Sequence, residues 1–189
     1  MEEEGETAPW LGGTASGGAA RGTIYHLVMQ FIPFTLKGED EVNAFLDSLE
    51  DRAIIDSTER AMVKASDIAA FLDTGLARRM VEADAAGHLR REQPFVLGRK
   101  ACDIDPVRFA GEEEVIPVQG IIDCMFSENG RYVILDYKTD RVGADGEEVL
   151  TKRYHAQLHN YAEAVSRITG IAADECVIYS FSLGKVITL

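Results

Sequence analysis

The sequence of 189 residues predicts a mixed α/β (α+β) fold, in which a helical N-terminal half is followed by a central mixed sheet flanked by helices. The prediction rests on a change in the apolar pattern. Up to residue 82 apolar residues recur at helical spacing, whereas from residue 88 they form strand-like runs that one long amphipathic segment interrupts. A hairpin signal, Asn129-Gly130, stands between two of these runs and predicts that they pair.

The first twenty residues are predicted to be a flexible lead or linker, ahead of one domain over residues 21–189. They contain four Glu and five Gly, lack Lys and Arg, and show no periodic apolar pattern. Residues 21–34 and 39–49 carry apolar side chains at helical spacing, which predicts two amphipathic helices. The tetrapeptide DSTE at 56–59 is typical of a helix start, and short helices are expected to continue through residue 82.

The second half predicts three strands, one long helix and two further strands. The predicted strands cover residues 88–97, 115–126, 132–139, 176–182 and 185–189, and the helix covers residues 149–169. Gly170 is expected to end this helix. The order of elements places helices ahead of a sheet and one helix between its strands.

The predicted hairpin brings two carboxylates together. If Asn129-Gly130 form a two-residue loop, Asp123 lies directly opposite Asp136 at a separation of about 5 Å, where like charges destabilise a sheet. Lys138 follows Asp136 by two residues, so strand alternation places it on the same face. An acid, an acid and a lysine therefore stand together in an otherwise apolar hairpin.

This grouping indicates a site for a hard divalent cation. Two close carboxylates ionise together only when a cation lies between them; otherwise one pKa rises and a proton is shared. Mg²⁺ favours one or two carboxylates together with water and phosphate oxygens. Lys138 would then orient or deprotonate a water and offset charge on a phosphate. On spacing alone, a salt bridge between Lys138 and Asp136 explains the pattern equally well.

Composition argues against several other functions. The three cysteines, Cys102, Cys124 and Cys176, are widely spaced and form no C-x-x-C pair, so neither an iron–sulfur cluster nor structural zinc is expected. The chain has no phosphate-loop motif, and no ATP site is expected in it. No apolar run reaches the roughly 18 residues of a membrane span, and the acidic N-terminus is unlike a secretory signal, so a cytoplasmic location is expected.

Five motifs in order resemble the PD-(D/E)XK nuclease superfamily. They are RGTIYHLVMQF, REQPFVL, VQGIIDCMF, ILDYKTDRV and YHAQLHNYAEAV, in which G-x-x-D is followed thirteen positions later by D-x-K. Within the superfamily the resemblance is to the RecB-like group and, more narrowly, to the C-terminal nuclease domains of the AddA (RexA) family of helicase–nuclease subunits. It extends from Gly22 to the C-terminus.

The resemblance implies a restriction-endonuclease-like core and a role for each matching residue. Asp123, Asp136 and Lys138 would be catalytic; the metal, Mg²⁺ with Mn²⁺ as a possible substitute, would be held by His26, Asp123, Asp136 and the backbone carbonyl of Tyr137. Glu92 would support the site, and Gln157 and Tyr161 would face DNA. From the residues alone, a histidine such as His26 on an amphipathic helix is more often a packed or surface residue, Glu92 could be a surface charge, and a core role competes strongly for Tyr161.

The resemblance also implies partners: a DNA strand emerging from a helicase, a helicase domain of the same polypeptide and a second helicase/nuclease subunit. The function implied is exonuclease action in double-strand break processing and recombinational repair. The net charge of -13 does not favour capture of DNA by the electrostatic field of the chain. Attachment to a helicase motor would instead bring the DNA strand to the site. Five basic residues could guide the backbone locally: Arg90, Arg91, Arg141, Lys152 and Arg153. The alternatives are a catalytically silent scaffold or strand guide, and a phosphohydrolase acting on RNA or a small molecule.

Overall fold

The computed structural model describes residues 17–104, 107–111, 113–143 and 145–189, which form a five-stranded sheet with helices on both sides. The described helices are α1 (Gly17–Phe31), α2 (Gly38–Asp51), α3 (Ser57–Met62), α4 (Ala65–Leu72), α5 (Gly75–Ala85), α6 (Ala101–Ile104) and α7 (Gly146–Thr169). The strands are β1 (Leu89–Lys100), β2 (Val115–Glu128), β3 (Arg131–Lys138), β4 (Ala173–Ser180) and β5 (Lys185–Thr188). The predicted fold class is confirmed.

Local sequence explains where the helices begin and end. Helix α1 begins at Gly17, four residues before the predicted domain boundary, and residues 1–16 of the predicted lead lie outside the described residues. Asp56 caps α3 with a capping box: its carboxylate accepts from the Glu59 N–H at 2.8 Å, and its own N–H donates to the Glu59 carboxylate at 2.8 Å. Gly170 ends α7 in the left-handed conformation, as predicted.

The sheet has the order β1-β2-β3-β4-β5. All neighbours are antiparallel except β3 and β4, which are parallel and are joined by α7. The hairpin prediction is confirmed: Glu128 pairs with Arg131, and Asn129 and Gly130 both have positive φ, the requirement of a type I′ turn.

Two apolar cores lie on opposite sides of the sheet. The first is between the sheet and helices α1 to α5, and contains Cys124, Phe126, Leu135 and Tyr137 from the strands. The second is between the sheet and α7, and contains Met125, Ile134 and Ile178 from the strands. Among the described residues, no helix combines the length and the apolar character needed to cross a membrane.

Partway along the β1–β2 pair, the side chains that point to one side of the sheet begin to point to the other side. Leu89 and Cys124 belong to the first core, whereas Phe95 and Ile122 belong to the second, although residues an even number of positions apart share one face of a regular strand. The exchange occurs at Glu92, whose φ is 48°, and at the residue across from it, Asp123; this pair is missing from an otherwise continuous register. The regular alternation of the strand therefore breaks at Asp123, and two carboxylates lie at the irregular point.

Candidate metal and catalytic site

Asp123 and Asp136 lie at the inner end of the β2–β3 hairpin. The paired register runs from the turn to Cys124 opposite Leu135, so the two carboxylates occupy the next position along. Both are buried, with 8% of Asp123 and 1% of Asp136 exposed. The N–H of Tyr137 donates to Asp123 Oδ2 at 2.8 Å, which fixes one carboxylate oxygen against the neighbouring strand.

Helix α1 brings His26 to the same place. His26 Nδ1 lies 3.2 Å from Asp123 Oδ1, and His26 Nε2 lies 2.9 Å from the carbonyl oxygen of Tyr137. Burial acts to lower the pKa of His26, but the hydrogen bond and the charge of Asp123 outweigh it, and the pKa is raised. Three of the predicted metal ligands are therefore in direct contact.

Glu92 completes a compact group of possible ligands. One ligand atom from each of His26, Glu92 and Asp123 lies within 4.8 Å of the others. Burial and the charge of Asp123 raise the pKa of Glu92. In Asp123 itself, burial acts to raise the pKa, but the hydrogen bond and positive charge of His26, helped by Lys138, bring it below its usual value.

Asp136 and Lys138 form a buried ion pair beside this group. Lys138 Nζ lies 2.5 Å from Asp136 Oδ2, and its ammonium is the cation that this buried oxygen contacts. Burial and the charge of Asp123 raise the pKa of Asp136 to about 7. Burial acts to lower the pKa of Lys138, but the charge of Asp136 outweighs it and the pKa is raised.

The donor set fits a hard divalent cation. Carboxylate and carbonyl oxygens with one imidazole surround the point where Asp123, His26 and Tyr137 meet, and oxygen ligands are those that Mg²⁺ and Mn²⁺ prefer. A buried carboxylate is costly unless a cation or a proton offsets its charge. At Asp136 the Lys138 ammonium supplies part of this compensation, and a divalent cation would add to it.

Helix α7 covers Lys138 with an aromatic ring. Lys138 Nζ lies 4.2 Å from the centre of the Tyr154 ring. The Tyr154 hydroxyl donates to both oxygens of Asp140, at 3.0 and 2.9 Å. The sequence reasoning missed both residues because Tyr154 falls on the apolar stripe of the helix. Its position three residues before Gln157, on the same helix face, was the available signal.

Gln157 and Tyr161 lie on the side of α7 that faces the sheet. Gln157 Nε2 donates to the Tyr161 hydroxyl at 2.7 Å, and Tyr161 is 9% exposed. The Tyr161 ring packs edge-on against Phe95 at 5.6 Å, so it is also a core residue. Burial and the charge of Asp136 raise the pKa of Tyr161 to about 12. A role of either residue toward DNA stays a prediction.

The Arg91 side chain makes its contacts within the protein, which corrects the prediction that it guides the DNA backbone. Its guanidinium donates to three carbonyl oxygens at the end of α1, those of Met29, Gln30 and Ile32, at 3.1, 3.1 and 2.6 Å. It also stacks on the ring of Phe34 at 3.8 Å. Arg91 therefore anchors the helix that carries His26.

A family model for the PD-(D/E)XK nuclease superfamily matches residues 4–183 of the chain. Among curated proteins, the chain is 36% identical over 177 residues to an ATP-dependent helicase/nuclease subunit of Bacillus licheniformis, with 89% of the chain covered. It is 40% identical over 152 residues to the protein of the same name from Desulforudis audaxviator, with 79% covered. For the protein of this name from Lachnoclostridium phytofermentans, the identity is 30% over 204 residues, with 91% covered.

The matched part is a small share of each relative. The chain spans 14%, 12% and 15% of the lengths of the three proteins, respectively. The comparison therefore concerns the nuclease-like part of much longer chains.

Proposed function

The chain belongs to the PD-(D/E)XK nuclease superfamily, and from that membership we propose that it is the Mg²⁺-dependent DNA nuclease domain of a helicase–nuclease. We further propose that it acts as an exonuclease in double-strand break processing, in the cytoplasm, beside a helicase domain of its own polypeptide and a second subunit. The observation that carries the proposal is the buried Asp136–Lys138 ion pair beside the contacting group of His26, Asp123 and Tyr137.

The side chains have distinct tasks in phosphodiester hydrolysis. Asp123, Asp136 and the Tyr137 carbonyl would hold the cation, with His26 and Glu92 completing the set. A divalent cation bound there supplies Lewis acidity toward a phosphate oxygen and lowers the pKa of a bound water. Lys138 holds its positive charge next to Asp136, where it offsets charge on the phosphate and orients a water for attack.

The DNA that fits this proposal is a strand delivered by a motor. The relatives are named helicase/nuclease subunits, and the chain's own charge of -13 gives it no general attraction for phosphate. A tethered motor raises the effective concentration of strand at the site without any basic surface on the nuclease domain.

The proposal is tested by cleavage of linear single-stranded and duplex DNA with Mg²⁺ or EDTA. We expect Mg²⁺-dependent cleavage by the wild-type chain. In Asp136→Ala and Lys138→Ala, the cleavage rate should fall by about a hundredfold or more. Asp51→Ala and Lys37→Ala are the matched controls, because both residues are exposed and belong to the α2 region, and they should cleave normally.

Circular single-stranded DNA separates the two modes of cutting. An exonuclease leaves it intact while degrading the linear form. Full cleavage by folded Asp136→Ala and Lys138→Ala variants would refute the proposed site, and a folded wild type that neither cleaves nor binds Mg²⁺ or Mn²⁺ would refute the function and favour a silent scaffold.

A further inference from the structure

We propose that Tyr154 is a positioning residue for Lys138, and that Asp140 holds Tyr154 in place. The inference deepens the proposed function and rests on Lys138 being its catalytic lysine. Its basis is a continuous set of contacts from the loop after β3 to α7. The Lys138 ammonium lies 4.2 Å from the centre of the Tyr154 ring, and the Tyr154 hydroxyl bonds both Asp140 oxygens.

Lys138 needs a second support besides Asp136. A lysine side chain has four rotatable bonds and a single charged group, so one ion pair leaves it much freedom. The face of an aromatic ring attracts an ammonium within about 6 Å of its centre, without taking a proton from it. When Asp136 gives its charge to a cation, the ring remains as a neutral partner for Lys138.

Asp140 is itself held at several points. Arg153 Nη1 donates to Asp140 Oδ1 at 2.6 Å, and the Ser182 hydroxyl donates to the Asp140 carbonyl oxygen at 2.5 Å. Asp140 is thus held at its carboxylate from α7 and at its backbone carbonyl from the segment after β4. Tyr154 is half-buried against the second core, which restrains its ring further.

The placement of Lys138 can be measured without metal, DNA or activity. The chain has six lysines, and Lys138 alone is not exposed: its side chain is 13% exposed, whereas Lys37, Lys64, Lys100, Lys152 and Lys185 are all exposed. In protein labelled with ¹³C at the lysine ε carbon, the ring should shift the Lys138 ε-proton signal upfield of the other five. Lys138→Arg assigns that signal by removing it.

Variants at position 154 separate the ring from the hydroxyl. Tyr154→Leu removes the ring, and we expect the Lys138 signal to join those of the exposed lysines. Tyr154→Phe keeps the ring but loses its bonds to Asp140, so the signal should stay upfield of the exposed lysines and move no further than in Asp140→Ala. Asp140→Ala removes the anchor alone and should move the signal part of the way. Tyr132→Leu is the matched control, because Tyr132 is also half-buried against the second core.

Cleavage kinetics provide the second readout. We expect Tyr154→Leu to lower kcat by about tenfold to a hundredfold with little change in KM, as misplacement of a catalytic group does, and Tyr154→Phe to recover most of the rate. A Lys138 signal unmoved in Tyr154→Leu, or an equal loss of kcat in Tyr132→Leu, would overturn the inference. A wild type that shows the upfield signal but neither cleaves DNA nor binds Mg²⁺ or Mn²⁺ would refute the proposed function and leave the placement of Lys138 established.

Discussion

At the scale of single residues, the candidate site buries two carboxyl groups whose pKa values are shifted in opposite directions. Asp123 has a lowered pKa because His26 contacts it, whereas Asp136 has a pKa raised to about 7 because burial and Asp123 disfavour its charge. The difference arises from contacts, since both are aspartates on adjacent strands. Asp136 is therefore the carboxylate with most to gain from a cation.

Metal affinity should rise with pH through this pKa. In the folded chain without metal, Asp136 is mostly protonated at pH 6 and mostly ionised at pH 8, so a cation must displace a proton at the lower pH. For one group with a pKa of about 7, the affinity should increase about tenfold from pH 6 to pH 8. Calorimetric titration with Mn²⁺ or Mg²⁺ in two buffers of different ionisation enthalpy measures both affinity and proton release.

The matched variant for this titration is Asp136→Asn, which should flatten the pH dependence as well as weaken binding. The pKa of His26 is also raised, and because a metal binds only the unprotonated imidazole, this acts in the same direction. An affinity that is equal at pH 6 and pH 8 would contradict the raised pKa of Asp136.

At the scale of elements, the site depends on how α1 and α7 are set against the sheet. Arg91 of β1 bonds carbonyl groups at the end of α1, and the first of these, that of Met29, lies within one helical turn of His26. On the other side, Gly120 of β2 pairs with Phe95 and leaves room for its ring, which packs against Tyr161 of α7. Each contact predicts the effect of a single substitution.

Arg91→Lys should loosen α1. Arg91 reaches the three carbonyl oxygens through Nη1 while its guanidinium lies over the Phe34 ring. A lysine has no planar group for that stacking, and hydrogen bonds from a charged group contribute about 1.5–3 kcal/mol. We expect the free energy of unfolding, measured with urea, to fall by about 1–3 kcal/mol, with weaker metal binding through His26. Arg90→Lys is the control, because Arg90 bonds only the nearby Gly87 and Leu89 carbonyls, and an equal loss there would contradict the anchoring role.

Gly120→Ala should crowd the contact between β1, β2 and α7. A Cβ at Gly120 would lie 2.7 Å from Phe95 Cε1 and 3.5 Å from Tyr161 Cε1, so the Phe95 ring must shift. Overpacking of this kind costs about 1–3 kcal/mol of unfolding free energy. Gly75→Ala, where nothing lies within 4 Å, is the control, and thermal unfolding should show it equal to or more stable than wild type. A Gly120→Ala variant as stable to unfolding as the wild type would contradict the packing role of this glycine.

Much of this arrangement was predictable from patterns with local causes. The hairpin followed from Asn129-Gly130, and the end of α7 followed from Gly170, because the required backbone conformations suit those residues. The face exchange at Glu92 was not predictable, because a glutamate with positive φ is held there by its surroundings and not by its own preference. The roles of Arg91 and Tyr154 were missed for a similar reason: each depends on contacts between distant segments.

At the scale of the whole molecule, a chain with a charge of -13 carries a site that must meet a polyanion. Arg79 is paired with Glu128 and Glu175, and Arg153 with Asp140, so much of the basic charge near the sheet is neutralised within the protein. These paired cations are less available to neutralise DNA phosphates.

Binding of a single strand by the isolated chain should be weak and sensitive to salt. We expect a Kd no tighter than about 10⁻⁵ M at physiological salt, and a loss of roughly tenfold between 50 and 200 mM salt, because only a few phosphates are neutralised. Fluorescence anisotropy with a labelled oligonucleotide, in EDTA to prevent cleavage, measures both. A tight complex that persists above physiological salt would contradict this account of the charge.

The site draws on α1, β1, β2, β3 and α7, from His26 to Tyr161, and this spread has a consequence during synthesis. A chain still emerging from the ribosome has its acidic hairpin before it has the helix that covers Lys138. Nascent and truncated chains should thus be unable to cut DNA, and the capacity to do so should arise only when translation of the domain is nearly complete.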